Sequence, residues 1–120
     1  MIASSDGKTL YSIADEGVVS FRILQNGSLA RLNSSPIRGM RGCHLCTDME
    51  DKYVFVSGYH DGKTTVLSLN KDGSVGEIVD EVYHKGYGSV AERNFRSHIT
   101  CTRRMPDGRY VLSVDNGTDR

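Results

Sequence analysis

Four side chains capable of acid–base and anion chemistry fall within seven consecutive positions: Glu92, Arg93, Arg96 and His98. An imidazole near its ordinary pKa of ~6.5, or a carboxylate whose pKa is raised by burial, takes a proton from water. A guanidinium offers a planar donor fork to a carboxylate, a phosphate or a developing oxyanion. The set is therefore the equipment of a hydrolytic site acting on an anionic substrate. The competing reading is a surface crossover with a solvated charge cluster. A second histidine, His44, follows Gly39, Arg41 and Gly42 where a strand starts, and Tyr59 stands at the end of another extended run. Either residue can line a pocket. A local hydrogen bond for His44 and plain packing for Tyr59 are the alternatives. Asp119 and Arg120 either pair across a loop or reach a ligand.

The cysteines form a second constellation. Cys43 and Cys46 make a Cys-x-x-Cys, and His98 with Cys101 makes a His-x-x-Cys in the next repeat, a donor set that zinc accepts in tetrahedral sites. Neighbours along an extended strand alternate faces, so Cys43 and Cys46 are expected to point opposite ways. Buried structural thiols, with no metal and no cofactor, are the expectation.

The elements that must position these groups repeat. Asp6-Gly7-Lys8-Thr9-Leu10-Tyr11-Ser12 resembles Glu50-Asp51-Lys52-Tyr53-Val54-Phe55-Val56, 44 residues later, and Asp107-Gly108-Arg109-Tyr110-Val111-Leu112-Ser113 restates the pattern. Val19 to Leu29 lies under Thr65 to Val75 with an offset of 46. The third copy arrives about a dozen residues late, which places an insertion in His84 to Arg96 and so beneath the Glu–Arg–His cluster; loops of that length are often functional. β-Branched and aromatic runs between Asp-Gly and Asn-Gly pairs predict strands at 10–14, 18–24, 52–57, 64–69, 76–83 and 110–114. No segment carries a sustained helical period. The expected class is all-β, in antiparallel four-stranded blade repeats of about 44 residues, the size of one propeller blade. Units are expected at approximately 3–47 and 48–104, with an incomplete one at 105–120. At that period the chain holds about 2.7 blades against the roughly 4–8 that close a ring. A fragment with exposed strand edges prone to self-association is expected.

Composition narrows the function classes. Fifteen basic residues balance fifteen acidic ones, so the basic excess that neutralises a phosphate backbone is missing and nucleic acid is not an expected partner. No run approaches the ~18 apolar residues of a membrane span, and polar Ser4-Ser5-Asp6-Gly7 follows Met1-Ile2-Ala3 without a signal-peptide core. Three cysteines do not make a secreted disulfide framework. A cytoplasmic protein with no membrane partner is the expectation.

Gly42-Cys43-His44-Leu45-Cys46-Thr47-Asp48, Lys52 to Tyr59, Asn70 to Gly76, Ala91 to Asn94, Ser97-His98, Pro106-Asp107-Gly108-Arg109 and Asp115 to Arg120 occur in an order that covers nearly the whole chain. This ordered set resembles the seven-bladed β-propeller lactonase family, which includes propeller-type 6-phosphogluconolactonases and carboxymuconate cyclases. The resemblance implies hydrolysis of an intramolecular ester, with a small-molecule sugar lactone as substrate. It carries over His44, Tyr59, Glu92, Arg93, His98 and Arg120 as residues facing the central pocket; catalytic roles are expected for Glu92, Arg93 and His98, and substrate contacts from His44, Tyr59 and Arg120, with Arg96 added on its chemistry alone. The family often has Asn-Tyr at Gly58-Tyr59 and His-Ala-His at Arg96-Ser97-His98, so one histidine of the pattern is replaced here. A propeller piece whose loops bind a partner without catalysis is the alternative.

Overall fold

A computed structural model describes residues 1–15, 17–88 and 95–120. Among the described residues the chain forms ten strands: β1 (Ile2–Ala3), β2 (Thr9–Ala14), β3 (Gly17–Ile23), β4 (Leu29–Pro36), β5 (His44–Thr47), β6 (Tyr53–Gly58), β7 (Lys63–Leu69), β8 (Val75–Tyr83), β9 (Ile99–Arg104) and β10 (Val111–Asp115). They make three antiparallel meanders in strict chain order, β1-β2-β3-β4, β5-β6-β7-β8 and β9-β10. The all-β, four-stranded architecture is as expected. The sheets occupy 2–36, 44–83 and 99–115, a different phase from the repeat units, because an internal repeat defines a period and leaves open where each sheet begins.

The hairpins show why the sequence repeats. At 24–28, Leu24 N–H bonds to Ser28 O and Gly27 N–H to Leu24 O; at 70–74, Asn70 N–H bonds to Ser74 O and Gly73 N–H to Asn70 O, all at 2.9 Å. Gly27 (φ +80°) and Gly73 (φ +86°) take the left-handed conformation that these turns need. In the equivalent of the Asp6-Gly7 turn, Asp51 stands at φ +51° without being glycine. Its carboxylate accepts from Ser5 N–H at 2.7 Å and from the Ser5 hydroxyl, so its side chain supports a contact between sheets from a conformation that costs most residues about 1–2 kcal/mol.

The two faces of the middle sheet differ. Leu45, Val54, Val56, Leu67 and Val75 point to the first sheet and form the core with Tyr11, Val18 and Ile37. Each such side chain contributes roughly 1.5–3 kcal/mol of hydrophobic stabilisation when fully buried. The opposite face presents hydroxyls: Ser57 donates to Thr102 at 2.9 Å, Thr102 meets Ser113 at 3.2 Å, and Ser113 meets Thr64 at 3.1 Å. The seam to the third sheet is thus polar but internally paired.

Besides the two-residue β1, two longer strands escape the sequence pattern. β4 carries Arg31, Asn33, Ser34 and Ser35 and, among the described residues, pairs only with β3, and its residues show no apolar alternation. β9, Ile-Thr-Cys-Thr-Arg-Arg, is short on apolar residues because its partners across the seam are hydroxyls, thiols and an imidazole.

Candidate functional site

The connections after β2, β4, β6 and β8 leave the sheets at the same end as the chain beyond β10, and the candidate residues gather there. His98 ends the long β8–β9 connection and is buried, with 8% of its surface exposed. Its ring lies flat on Tyr59, centroids 4.4 Å apart and planes 17° apart. His98 Nδ1 is 2.9 Å from the Tyr59 carbonyl oxygen. A carbonyl only accepts, so Nδ1 carries a proton, and in the neutral tautomer the lone pair lies on Nε2. The tautomer is fixed by this contact, and Nε2 is the nitrogen left to act as a base. Tyr59 also meets His60 edge-on at 5.2 Å.

The turn after β10 is built around His98. Asp115, buried to 3% exposure, accepts from His98 N–H at 2.8 Å, Gly117 N–H at 2.9 Å and Thr118 N–H at 3.2 Å through Oδ1. Burial by itself would raise the Asp115 pKa, but the His98 N–H and Thr118 bonds hold it below the usual carboxylate value. Asn116 N–H returns a bond to His98 O at 2.9 Å, and the Asp115 and Arg120 backbones pair at 2.7 and 3.1 Å. Gly117 leaves no room for a side chain: a Cβ there would stand 2.0 Å from Arg96 O and 2.8 Å from His98 N. Residues 96–98 and 115–120 therefore form one packed unit. The side chains of Arg96 and Arg120 are exposed at its surface, Arg96 beside the Phe95 ring at 5.5 Å.

His44 lies one strand away, at the start of β5. Its Nδ1 accepts from Thr102 N–H at 3.4 Å and its Nε2 is 3.7 Å from Cys101 Sγ. Here the tautomer is the reverse of His98, with the proton on Nε2. Burial, followed by the charge of Arg103, pushes the His44 pKa down. Glu92 and Arg93 lie outside the described residues.

The cysteine geometry differs from the alternation expectation. Cys43 precedes β5, in the connection, where alternation does not apply. Its thiol donates to Ile99 O at 3.2 Å, while Cys46 Sγ receives Arg104 N–H at 3.4 Å, so both reach β9. The His98 ring turns instead to Tyr59. Among the described residues no group of three or more His, Cys, Asp or Glu side chains converges on a metal position.

Sequence reasoning named His98 and Tyr59 without their stack, and it missed the two residues that hold the connection ahead of His44. Asp61 accepts from Met40 N–H at 2.6 Å. The buried Lys63 ammonium donates to Arg38 O and pairs with Glu81. Lys63 occupies the first position of β7 and carries no sequence signal for burial.

The three successive meanders with their first strands side by side match known proteins along their whole length. The model of the family "Lactonase, 7-bladed beta-propeller" matches residues 1–120. The chain belongs to the seven-bladed β-propeller lactonase family. A 6-phosphogluconolactonase of Bacillus subtilis is 34% identical over 99% of this chain and 36% of its own length. The solved structure of a candidate 6-phosphogluconolactonase from Bacteroides fragilis superposes with a TM-score of 0.89 at 35% identity, covering 98% of this chain and 34% of that one. The periplasmic gluconolactonase PpgL of Pseudomonas aeruginosa, 23% identical, shares the fold with a TM-score of 0.88 over 98% of this chain and 36% of its own. This lactonase-family chain thus spans about a third of the length of the relatives it matches. Among the described residues no helix is long and apolar enough to cross a membrane.

Proposed function

We propose that the protein containing this chain is a lactone hydrolase that opens a sugar lactone of the 6-phosphogluconolactone type. The observation that carries the reading is the fixed tautomer of His98: Tyr59 O holds Nδ1–H at 2.9 Å, leaving the Nε2 lone pair as a base. In the proposed reaction Nε2 takes a proton from water and the resulting hydroxide adds to the lactone carbonyl. The oxyanion collapses, the ring C–O bond breaks, and the departing alkoxide receives the proton from the imidazolium. Arg93, Arg96 and Arg120 supply the cations for the oxyanion and for the substrate's anionic group, and Glu92 is proposed as a second acid–base residue. His44 and Tyr59 border the substrate. The match to proteins named 6-phosphogluconolactonase supports the substrate class.

The test is hydrolysis of 6-phosphogluconolactone by the full-length protein, followed by the release of one proton per ester opened at pH 7. A rate above spontaneous opening that falls at least about a hundredfold in His98→Gln is expected. A wild-type rate equal to the spontaneous one overturns the proposal.

Three unpaired cysteines suit a reducing compartment, and we propose the cytoplasm, which fractionation of cells expressing the full-length protein checks. The outer edge of β10, unpaired among the described residues, is proposed as a self-association edge for the 120-residue chain. A monomeric mass in solution overturns it. Blade-like units of approximately 3–47 and 48–104, with an incomplete one at 105–120, are likewise proposed as the divisions of a partial propeller domain.

A further inference from the structure

Two candidate site residues that are 22 positions apart, His98 and Arg120, meet at a third residue that no part of the reaction above uses. We infer that Asp115 is a positioning residue, whose carboxylate sets the place of the His98 imidazole and of the turn that carries Arg120; the inference rests on the lactonase reading for its link to activity. A single oxygen, Oδ1, accepts three backbone N–H groups, from His98, Gly117 and Thr118. Those donors belong to both sides of the site: one precedes β9, and two lie in the turn after β10. The Asp115 backbone adds two bonds to Arg120. Asp115 sits where β10 leaves its regular register with β9, pairing with Ile99. The irregularity turns its side chain under the β8–β9 connection instead of out along the strand face.

The charge has a reason as well as the geometry. Three N–H dipoles converging on one oxygen favour the ionised carboxylate, and charge-assisted bonds are roughly twice as strong as neutral ones. With the His98 backbone N–H held by Asp115 and the ring Nδ1–H held by Tyr59 O, the residue is fixed at two points, one on its backbone and one on its ring, which limits the directions Nε2 can face. Removing the Asp115 carboxylate frees the His98 amide and leaves the ring's contact to Tyr59 and the Asn116 N–H bond to His98 O.

The experiment uses the full-length protein with 13C-labelled histidine, in wild-type, Asp115→Ala and Asp115→Asn forms, with His98→Gln to assign the resonance. Stacked at 4.4 Å on Tyr59, the His98 ring protons carry a ring-current shift. Asp115→Ala is expected to move that resonance toward the free-histidine position and to lower kcat by about a hundredfold, the scale of a 1 Å misplacement. Asp115→Asn keeps a neutral acceptor and is expected to retain most of the shift and to lose about three- to tenfold in kcat. A drop in melting temperature with the His98 resonance and kcat both at wild-type values overturns the inference, since that is the signature of a purely structural carboxylate. If Asp115→Ala does not fold, wild-type resonance and rate in Asp115→Asn overturn it equally. A shifted resonance in a protein whose wild type opens no lactone leaves the positioning intact and refutes only the lactonase reading.

Discussion

The side-chain amide of Asn33 pairs with both backbone groups of Val75 as a strand neighbour would: Val75 N–H donates to Oδ1 at 2.9 Å and Nδ2 donates to Val75 O at 2.7 Å. Asn33 Oδ1 also receives the Ser20 hydroxyl at 2.7 Å. One side chain therefore stitches the first sheet to the second, at the point where Val75 enters the core. Asn33→Ala leaves buried polar groups on both sheets without partners and is expected to cost about 2–3 kcal/mol. Urea unfolding of the full-length protein measures it; a loss under about 0.5 kcal/mol would show that the stitch is ornamental. Asn33→Asp is expected to be at least as harmful, because a carboxylate oxygen would then face the Val75 carbonyl.

Across the other seam, Thr102→Val preserves volume while removing the hydroxyl shared by Ser57 and Ser113. Leaving the Ser57 hydroxyl without its acceptor, and Ser113 with Thr64 alone, is expected to destabilise by about 1–3 kcal/mol. Combining Thr102→Val with Ser57→Ala should cost less than the sum of the single changes, since the double variant removes a donor that would otherwise be left unmet. Strict additivity in a double-mutant cycle would contradict the hydroxyl chain.

Gly117 is a packing requirement of the site. Because a Cβ there collides with Arg96 O and His98 N, Gly117→Ala must move residues 96–98 and the 115–120 turn apart. Activity of the full-length protein is expected to fall about a hundredfold with its circular dichroism largely kept. Wild-type kcat in a folded Gly117→Ala variant would disconnect this turn from the site.

His44 makes stability pH-dependent. Burial, then Arg103, depresses its pKa below the ordinary 6.5, so the unfolded chain binds the proton more readily than the folded one. Its contribution is complete above pH 6.5 and is lost as pH falls through the depressed folded value. Melting temperature should therefore decline on acidification below about pH 6.5, and His44→Gln should flatten that decline. Parallel pH curves for the two proteins would assign the titration elsewhere.

The strands around 52–57 and 64–69 are readable because Val54, Val56 and Leu67 alternate with residues of the polar seam, and the turns are readable because Asn26-Gly27 and Asp72-Gly73 recur. β4 is not, since what matters there is a polar residue, Asn33, whose partner is 42 positions away. The same limit hides the site. Tyr59 and His98 are visible as types, but a stack between residues 39 apart follows from the seating of one sheet on another. Cys43 shows the limit of a local rule, because face alternation ends where the strand does. Glu92 and Arg93, named on their chemistry, fall outside the described residues.

Because every sheet is a meander of adjacent hairpins, its own pairings close over short loops, whereas Asn33 must wait for Val75 and Ser57 for Thr102, 42 and 45 residues on. Short loops close first. The expected assembly order is therefore sheet, then seam, running from the amino end as the chain leaves the ribosome. Pulse-labelled hydrogen exchange would show it as early protection of Val54 and Leu67 amides and late protection of the Val75 amide; simultaneous protection of all three would mean that sheets and seams form in one step.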